Sequence, residues 1–192
     1  MNEGFTVLWD QNSCRELRKA GEEGQPLTVL FGGIHQSCPS LKRAGIRSGD
    51  VVFPLMVRDG TIHVLAGAVI KDFIPLISYL VEHLRFERNE VEGLPEYRLH
   101  EVFKRYGISG HRVPDACGIE VALVERSTPL RFNVVVPPGD LEAIRFCPRK
   151  GQPLGLRNIQ DGKLKSSLSL QGNVRRLCPE SFEMFAGLVG LE

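Results

Sequence analysis

Arg58-Asp59-Gly60 separates two apolar runs, Val51–Val57 and Thr61–Ile70. Asp-Gly between β-rich runs constrains this chain more than any other feature, because both residues tolerate positive φ and close a tight hairpin. In the second run Ile62, Val64, Ala66, Ala68 and Ile70 recur at period two, the pattern of a half-buried strand. Pro54 interrupts the first run and predicts an edge or a bulge there. Gly49-Asp50 makes a tight entry turn ahead of the hairpin.

The flanking segments read as lead-in and closure. Phe5–Trp9 is a short apolar run, and Ser13 with Glu16 forms an S-x-x-E capping box that predicts a helix through Lys19. Thr28–Phe31 reads as a strand. Ser37 or Cys38 would then cap a short helix with Pro39 in its first turn, carrying Ser40, Leu41, Lys42 and Arg43 and ending at Gly45. After the hairpin the period changes to that of helices: Ile77, Leu80, Val81 and Leu84 form one stripe, and Leu99, Val102, Phe103 and Tyr106 another. Strands resume at Cys117–Val124 and Leu130–Val136, and Asp140–Phe146 reads as a helical turn. A second Asp-Gly, Asp161-Gly162, pairs Leu154–Ile159 with Leu164–Leu170. Asn173–Leu177 is a short strand, and Pro179 with Glu180 opens a terminal helix.

With 192 residues, 42% of them apolar and 24% charged, the chain reads as one soluble domain, 1–192, with a helical insertion at about 72–115. No apolar run reaches the roughly 18 residues of a membrane helix. The opening residues lack the basic and apolar regions of a signal peptide. Five cysteines at irregular spacing do not form a disulfide framework. The expectation is therefore a cytoplasmic protein with free thiols, no membrane contact and no cofactor.

Charge is unevenly placed. Arg145 to Arg176 holds eight basic residues against Asp161 alone, and Asp72 to Glu101 holds seven acidic against three basic. Such asymmetry separates an anion-binding face from an acidic one, or reflects solvated surface. The order of strand, helix, Gly-Asp, hairpin, helical insertion, strands and closing hairpin predicts an α+β fold with a small, mostly antiparallel barrel or a strongly curled sheet.

The segments TVLFGG, SLKRAGIRSGDVVF and AGAVI are similar to the opening of the PUA-like superfamily, which includes the PUA, ASCH, EVE and YTH domains. PLRFNVVVPPGDLEAIRF and SLSLQGNVRRLCPESFEMF resemble the closing strands and last helix of EVE-type members. The resemblance covers residues 28–70 and 117–188, is to a bacterial member, and implies a PUA-like mixed or antiparallel barrel with flanking helices. GGIHQSCPSLK stands where ASCH domains carry Gly-x-Lys, and Trp9 is the only tryptophan, so the aromatic cage of YTH domains has no counterpart.

Several residues carry chemical potential. His35 and Cys38 form an H-x-x-C pair that would serve as two zinc ligands, as a thiolate with its base, or as a turn admitting close backbone approach. Cys117, Cys147, Cys178 or His111 would have to complete a metal site, and none shows C-x-x-C spacing, so no metal is expected. His63 reads as a surface or packed histidine. Arg126, Ser127 and Thr128 lie on a turn suited to phosphate contact. Arg149 and Lys150 make a basic turn, and Asn173 and Arg175 share one face of their strand while Arg176 takes the other. The resemblance implies that the helix with Ser40, Lys42 and Arg43 borders a nucleic-acid or ligand cleft.

Three functions follow as expectations. The first is a module that binds RNA or DNA through its basic segment, with a pocket for one flipped, modified base. The second, implied by small ASCH-like amidohydrolases acting on modified nucleosides, uses Lys42, Thr128 and Glu120. The third is a protein partner meeting the acidic insertion. The residues pose one geometric question: whether His35, Lys42, Arg126 and Arg175 line a single cleft.

Overall fold

The computed structural model describes residues 2–33, 35, 38–92, 103, 105, 107–113, 118–167, 170 and 174–192. Strand β1 (Gly4–Leu8) leads into helix α1 (Gln11–Lys19), then strand β2 (Val29–Gly33) and the single helical turn α2 (Leu41–Ala44). Strands β3 (Val51–Arg58), β4 (Thr61–Val64) and β5 (Ala68–Pro75) follow. Helical turns come next: α3 (Leu76–Ser78) running into a π-helical turn (Tyr79–His83), then α4 (Arg88–Val91). After β6 (Gly118–Ser127), a 3₁₀ turn (Pro138–Ala143) leads to the two-residue strands β7 (Arg145–Phe146), β8 (Leu154–Gly155), β9 (Ile159–Gln160), β10 (Lys163–Leu164) and β11 (Arg175–Arg176). Helix α5 (Pro179–Val189) closes the chain.

The main sheet has seven strands in the order β11-β1-β3-β5-β6-β2, with β4 branching from β3. β1 runs parallel to β3, Gly4 opposite Val51 through Leu8 opposite Leu55, and the other ladders are antiparallel. The expected barrel is not formed among the described residues: β11 and β2, at the two ends of the order, do not pair with each other, so it is an open mixed sheet. Alternation along each strand feeds two faces. Phe5, Val52, Ala68, Ile70 and Ala122 join a cluster with Cys14 and Leu17 of α1 and Leu41 of α2. Val51, Phe53, Leu55 and Val69 point the other way, onto Phe185 and Ala186 of α5. Phe53 meets Phe182 and Phe185 edge-on at 5.9 and 5.7 Å. The helical turns after β5 make a third cluster: Tyr79, Leu80, Phe86 and Val91 pack on Val29 and Val121.

The Asp-Gly hairpin forms as expected, with Asp59 at φ 52 and Gly60 at φ 78. Its second arm departs from expectation. Residues 61–70 make two strands, because the chain crosses from one neighbour to the next at Leu65–Gly67. There the Gly67 N–H donates to Thr128 Oγ1 (2.9 Å) and the Thr128 N–H donates to the Gly67 carbonyl (3.0 Å). A Cβ on Gly67 would lie 3.2 Å from Phe53, Val189 and Leu191, so a side chain has little room at the crossing. Residues 130–136 are likewise not a regular strand. They run beside β4 through scattered bonds, Val64 N–H to Val134 O (3.0 Å) and Val136 N–H to Ile62 O (2.9 Å). Pro129 at one end and Pro137-Pro138 at the other cannot donate to a ladder.

Three smaller corrections have local causes. α1 is capped by Asp10, whose carboxylate accepts from the N–H groups of Asn12 (2.8 Å) and Ser13 (2.9 Å) and from the Ser13 hydroxyl (2.5 Å). The Ser13–Glu16 box therefore lies inside the helix. Leu154 pairs back to Phe146 instead of forward, leaving the second Asp-Gly turn to join only β9 and β10. Cys147 and Cys178 are joined by a disulfide, Cα to Cα 5.0 Å, against the expectation of free thiols. Their spacing of 31 residues hides a direct pairing of residues 145–147 with 176–178. The predicted helix around residues 99–106 lies largely outside the described residues, as does Cys117.

Candidate functional site

The residues singled out in the sequence fall into separate places. Ser40 is the N-cap of α2; its Oγ accepts from the Arg43 N–H (3.1 Å) and donates to Glu120 of β6 (3.1 Å to Oε1). Glu120 Oε1 also accepts from the N–H groups of Leu41 (2.6 Å) and Lys42 (3.1 Å). The chain's own carboxylate thus occupies the free amides at this helix start, the place where an anion would otherwise bind. A Cβ on Gly32 would strike Glu120, so glycine in β2 is what lets the carboxylate reach the turn. The Lys42 ammonium lies 5.5 Å from the centre of the Phe73 ring, a cation–π contact.

Glu120 and Thr128 stand at opposite ends of β6. The eight residue steps from Glu120 to Thr128 span about 26 Å at 3.3 Å per residue. Thr128 is buried, its hydroxyl engaged with Gly67. Lys42, Thr128 and Glu120 are therefore not brought to one point. Arg126 is exposed and opposite Val69, and Ser127 donates its hydroxyl to the Thr128 carbonyl (2.7 Å). His35 is exposed and bridges to Cys38 through backbone, with the Cys38 N–H on the His35 carbonyl (3.1 Å). Among the described residues no group of three or more His, Cys, Asp or Glu side chains is placed to hold a metal ion. No helix among them is long and apolar enough to cross a membrane.

The basic segment does converge. A cleft of about 250 Å³ opens at the β1–β11 edge of the sheet, walled by Ala44 and Gly45 at the end of α2, Glu3, and the β7–β8 hairpin, with Arg149, Arg175 and Arg176 on its lining. Gly45 sits at φ 97, which ends α2 in the left-handed region. The Arg149 guanidinium lies where a Cβ on Gly45 would be, so glycine both ends the helix and makes room for the cation.

The two neighbouring arginines of β11 behave differently. Arg176 donates to the Cys147 carbonyl (2.8 Å), the Pro148 carbonyl (3.4 Å) and Glu3 Oε1 (2.8 Å), so its fork is committed to holding the hairpin onto β1. The Arg175 guanidinium lies over Phe146, 5.2 Å to the ring centre, and its buried Nε has no hydrogen-bond partner among the described residues. Burial, and then the Arg157 charge, lower the Arg175 pKa. It remains a cation at any working pH. A buried donor without a partner costs about 1–3 kcal/mol.

Of the predicted binding residues, Arg149, Arg175 and Arg176 line this cleft. Lys150 is the exposed neighbour of Arg149, and Arg43 stands exposed on α2 one residue before Ala44. His35, Ser40, Lys42, Arg126, Ser127 and Thr128 do not line it, and Asn173 lies outside the described residues. The sequence reading missed Glu3, Phe146 and Leu154 as cleft residues. No local signal marks them, since each reaches the cleft through a pairing between distant segments.

Two histidines lie away from the cleft. His63 is buried on β4; burial, and then the Arg58 charge, lower its pKa. His111, considered above as a metal ligand, accepts the Thr28 N–H at Nε2 (3.0 Å), which leaves its Nδ1 proton to Glu22 (2.6 Å). That linkage ties the 3₁₀ turn Gly110–Arg112 to the start of β2.

No protein-family model matches the chain, and no curated protein matches it. Among solved structures the chain is similar to a crystal structure of a serine-to-alanine mutant of ZmASCH from Zymomonas mobilis, at 12% identity and a TM-score of 0.31, with 88% of this chain and 96% of that chain covered. A likeness that slight carries no argument about what this chain folds into or does.

Proposed function

We propose that the protein is a nucleic-acid-binding module that holds RNA or DNA phosphates in the cleft between α2, the β7–β8 hairpin and β11. The observation that supports this reading is that Arg175, whose buried Nε has no hydrogen-bond partner among the described residues, lines a cleft together with Arg149. Arginine forks match phosphate oxygens bidentately, and a base stacks on a guanidinium plane as readily as on an aromatic ring. Arg176, tied to Glu3 and two carbonyls, would position the wall without contacting ligand. Lys150 and Arg43 would extend the track along which a backbone runs. The half-exposed Leu154 at the rim gives a base an apolar surface. A flipped or modified base would enter the same cleft.

Fluorescence anisotropy with labelled single- and double-stranded RNA and DNA, at several salt concentrations, tests the reading. Binding should weaken log-linearly with salt, with about 0.7–0.9 of slope per phosphate contact. Replacing Arg149 and Arg175 together by alanine should lower affinity for every probe and make the slope shallower by roughly one to two units. A folded protein that binds no probe at low salt would end this reading.

A further inference from the structure

The Cys147–Cys178 bond has one accessible end and one buried end. Cys147 is half-buried and lines the arginine cleft, whereas Cys178 is 4% exposed and sits at the N-cap of α5. We propose that this bond is an exchangeable one, opened by an anionic low-molecular-mass thiol of the glutathione class that docks in the cleft and attacks Cys147 Sγ. The reading of the cleft as a nucleic-acid site is not needed for it.

Three features of the surroundings favour exchange. First, Cys147 lines the same cleft as Arg149, Arg175 and Arg176, with Glu3 neutralising only the last. Such a field concentrates an anionic thiol and stabilises its thiolate, the attacking form. Second, the leaving sulfur is placed at the start of an eleven-residue helix whose N-cap makes no side-chain hydrogen bond. A thiolate released there meets the positive end of the helix dipole and the free first-turn amides, opposed only by Glu180 in that turn. A stabilised leaving thiolate leaves faster. Third, two backbone bonds besides the disulfide hold the segments in register, the Cys147 N–H on the Arg176 carbonyl and the Cys178 N–H on the Arg145 carbonyl, both 2.9 Å. Reclosure therefore needs no search.

The chemistry balances in two steps. The incoming thiolate forms a bond to Cys147 Sγ, the Cys147–Cys178 bond breaks, and Cys178 leaves as a thiolate. A second thiolate then attacks the sulfur of the bound thiol, releasing Cys147 as a thiolate and the two small thiols as their disulfide. The protein bond is reduced by two electrons and the pair of small thiols oxidised by two. In reverse, Cys178 attacks the mixed disulfide on Cys147 and expels the small thiol. Occupied by the adduct, the cleft gains a bulky anion beside Arg149 and Arg175, so the same step would compete with any phosphate ligand there. The remaining described cysteines are poor rivals: Cys14 is buried, its thiol pushed up to about 12 by burial and then by Asp10, and Cys38 is buried too.

The test uses the full chain, purified without reductant and kept native. It is placed in glutathione redox buffers, quenched in acid, and read by intact-mass spectrometry and peptide mapping. The expected result is a single trapped glutathione on Cys147, with the mixed disulfide persisting in Cys178→Ser. Arg149→Ala with Arg175→Ala should slow exchange with glutathione several-fold and exchange with 2-mercaptoethanol, whose only charge is that of the attacking thiolate, by a clearly smaller factor. Mapping on the unsubstituted protein needs no variant to fold. The proposal is overturned if the oxidised protein titrates with no disulfide, if the bond opens only after denaturation, if the adduct maps to Cys178, or if the arginine changes slow both thiols equally.

Discussion

The two ends of α2 present opposite solutions to the same problem. At its start, the amides of Leu41 and Lys42 converge on the Glu120 carboxylate, so the anion site is filled from within. At its end, Gly45 opens a gap that Arg149 fills, and Arg175 keeps a buried donor with no partner among the described residues. Both ends lie in stretches that the sequence marks as candidate binding surface. A polar group with an internal partner holds the fold together. One left without such a partner is where a ligand has something to gain.

Four substitutions break or sharpen that contrast. Glu120→Ala should have the largest effect, a loss of about 2–3 kcal/mol in urea denaturation, because it strands two amides and the Ser40 hydroxyl; Glu120→Gln should recover part of it. If Glu120→Ala left stability unchanged, the start of α2 would be as open to ligand as its end. Arg176→Ala comes next, at about 1–2 kcal/mol, since it frees Glu3 and two carbonyls of the hairpin. Binding should fall with it, because the cleft wall moves, and the Glu3→Gln partner change should reproduce only a fraction of the loss.

Asp10→Ala is a control for capping by a single local carboxylate, at about 1 kcal/mol. Burial works to raise the Asp10 pKa, and the bonds from Ser13 and Asn12 outweigh it, holding it below the ordinary 3.8. With the folded value depressed, the cap's stabilisation is complete above the unfolded value and fades as pH falls through the folded one. An acid titration of α1 helicity should show the loss in that window and not in Asp10→Ala. Arg175→Ala is the smallest in stability, within about 0.5 kcal/mol, because a stacked cation and an unpaired donor are removed together. It should nevertheless reduce the salt slope of binding by about 0.7–0.9. A stability loss as large as that of Arg176→Ala would mean that Arg175 also serves the fold.

Local chemistry was legible where the causes are local. Asp59-Gly60 turns the chain, Gly45 ends α2, and Pro179 opens α5, each through backbone constraints carried by the residue itself. The same holds for the basic character of 145–176, which charge counting alone exposes. The capping box failed although its spacing was right, because Asp10 caps the amides of Asn12 and Ser13 and so starts the helix ahead of Ser13. Cys147 and Cys178 read as unpaired because nothing local tells a chain that residues 145–147 will lie against 176–178.

The sequence by itself determined the alternating runs, the turns and the uneven charge, since those depend on side-chain period, φ preference and composition. Only the tertiary structure decided that the sheet stays open among the described residues, that the second hairpin arm splits at Gly67, and that Glu120 answers α2 while the Arg175 Nε has no hydrogen-bond partner among the described residues. Those outcomes rest on contacts between segments tens of residues apart, 78 for Lys42 with Glu120 and 173 for Glu3 with Arg176. The physical reason is that a polar group's availability is a property of its surroundings, and its surroundings are assembled only when the chain folds.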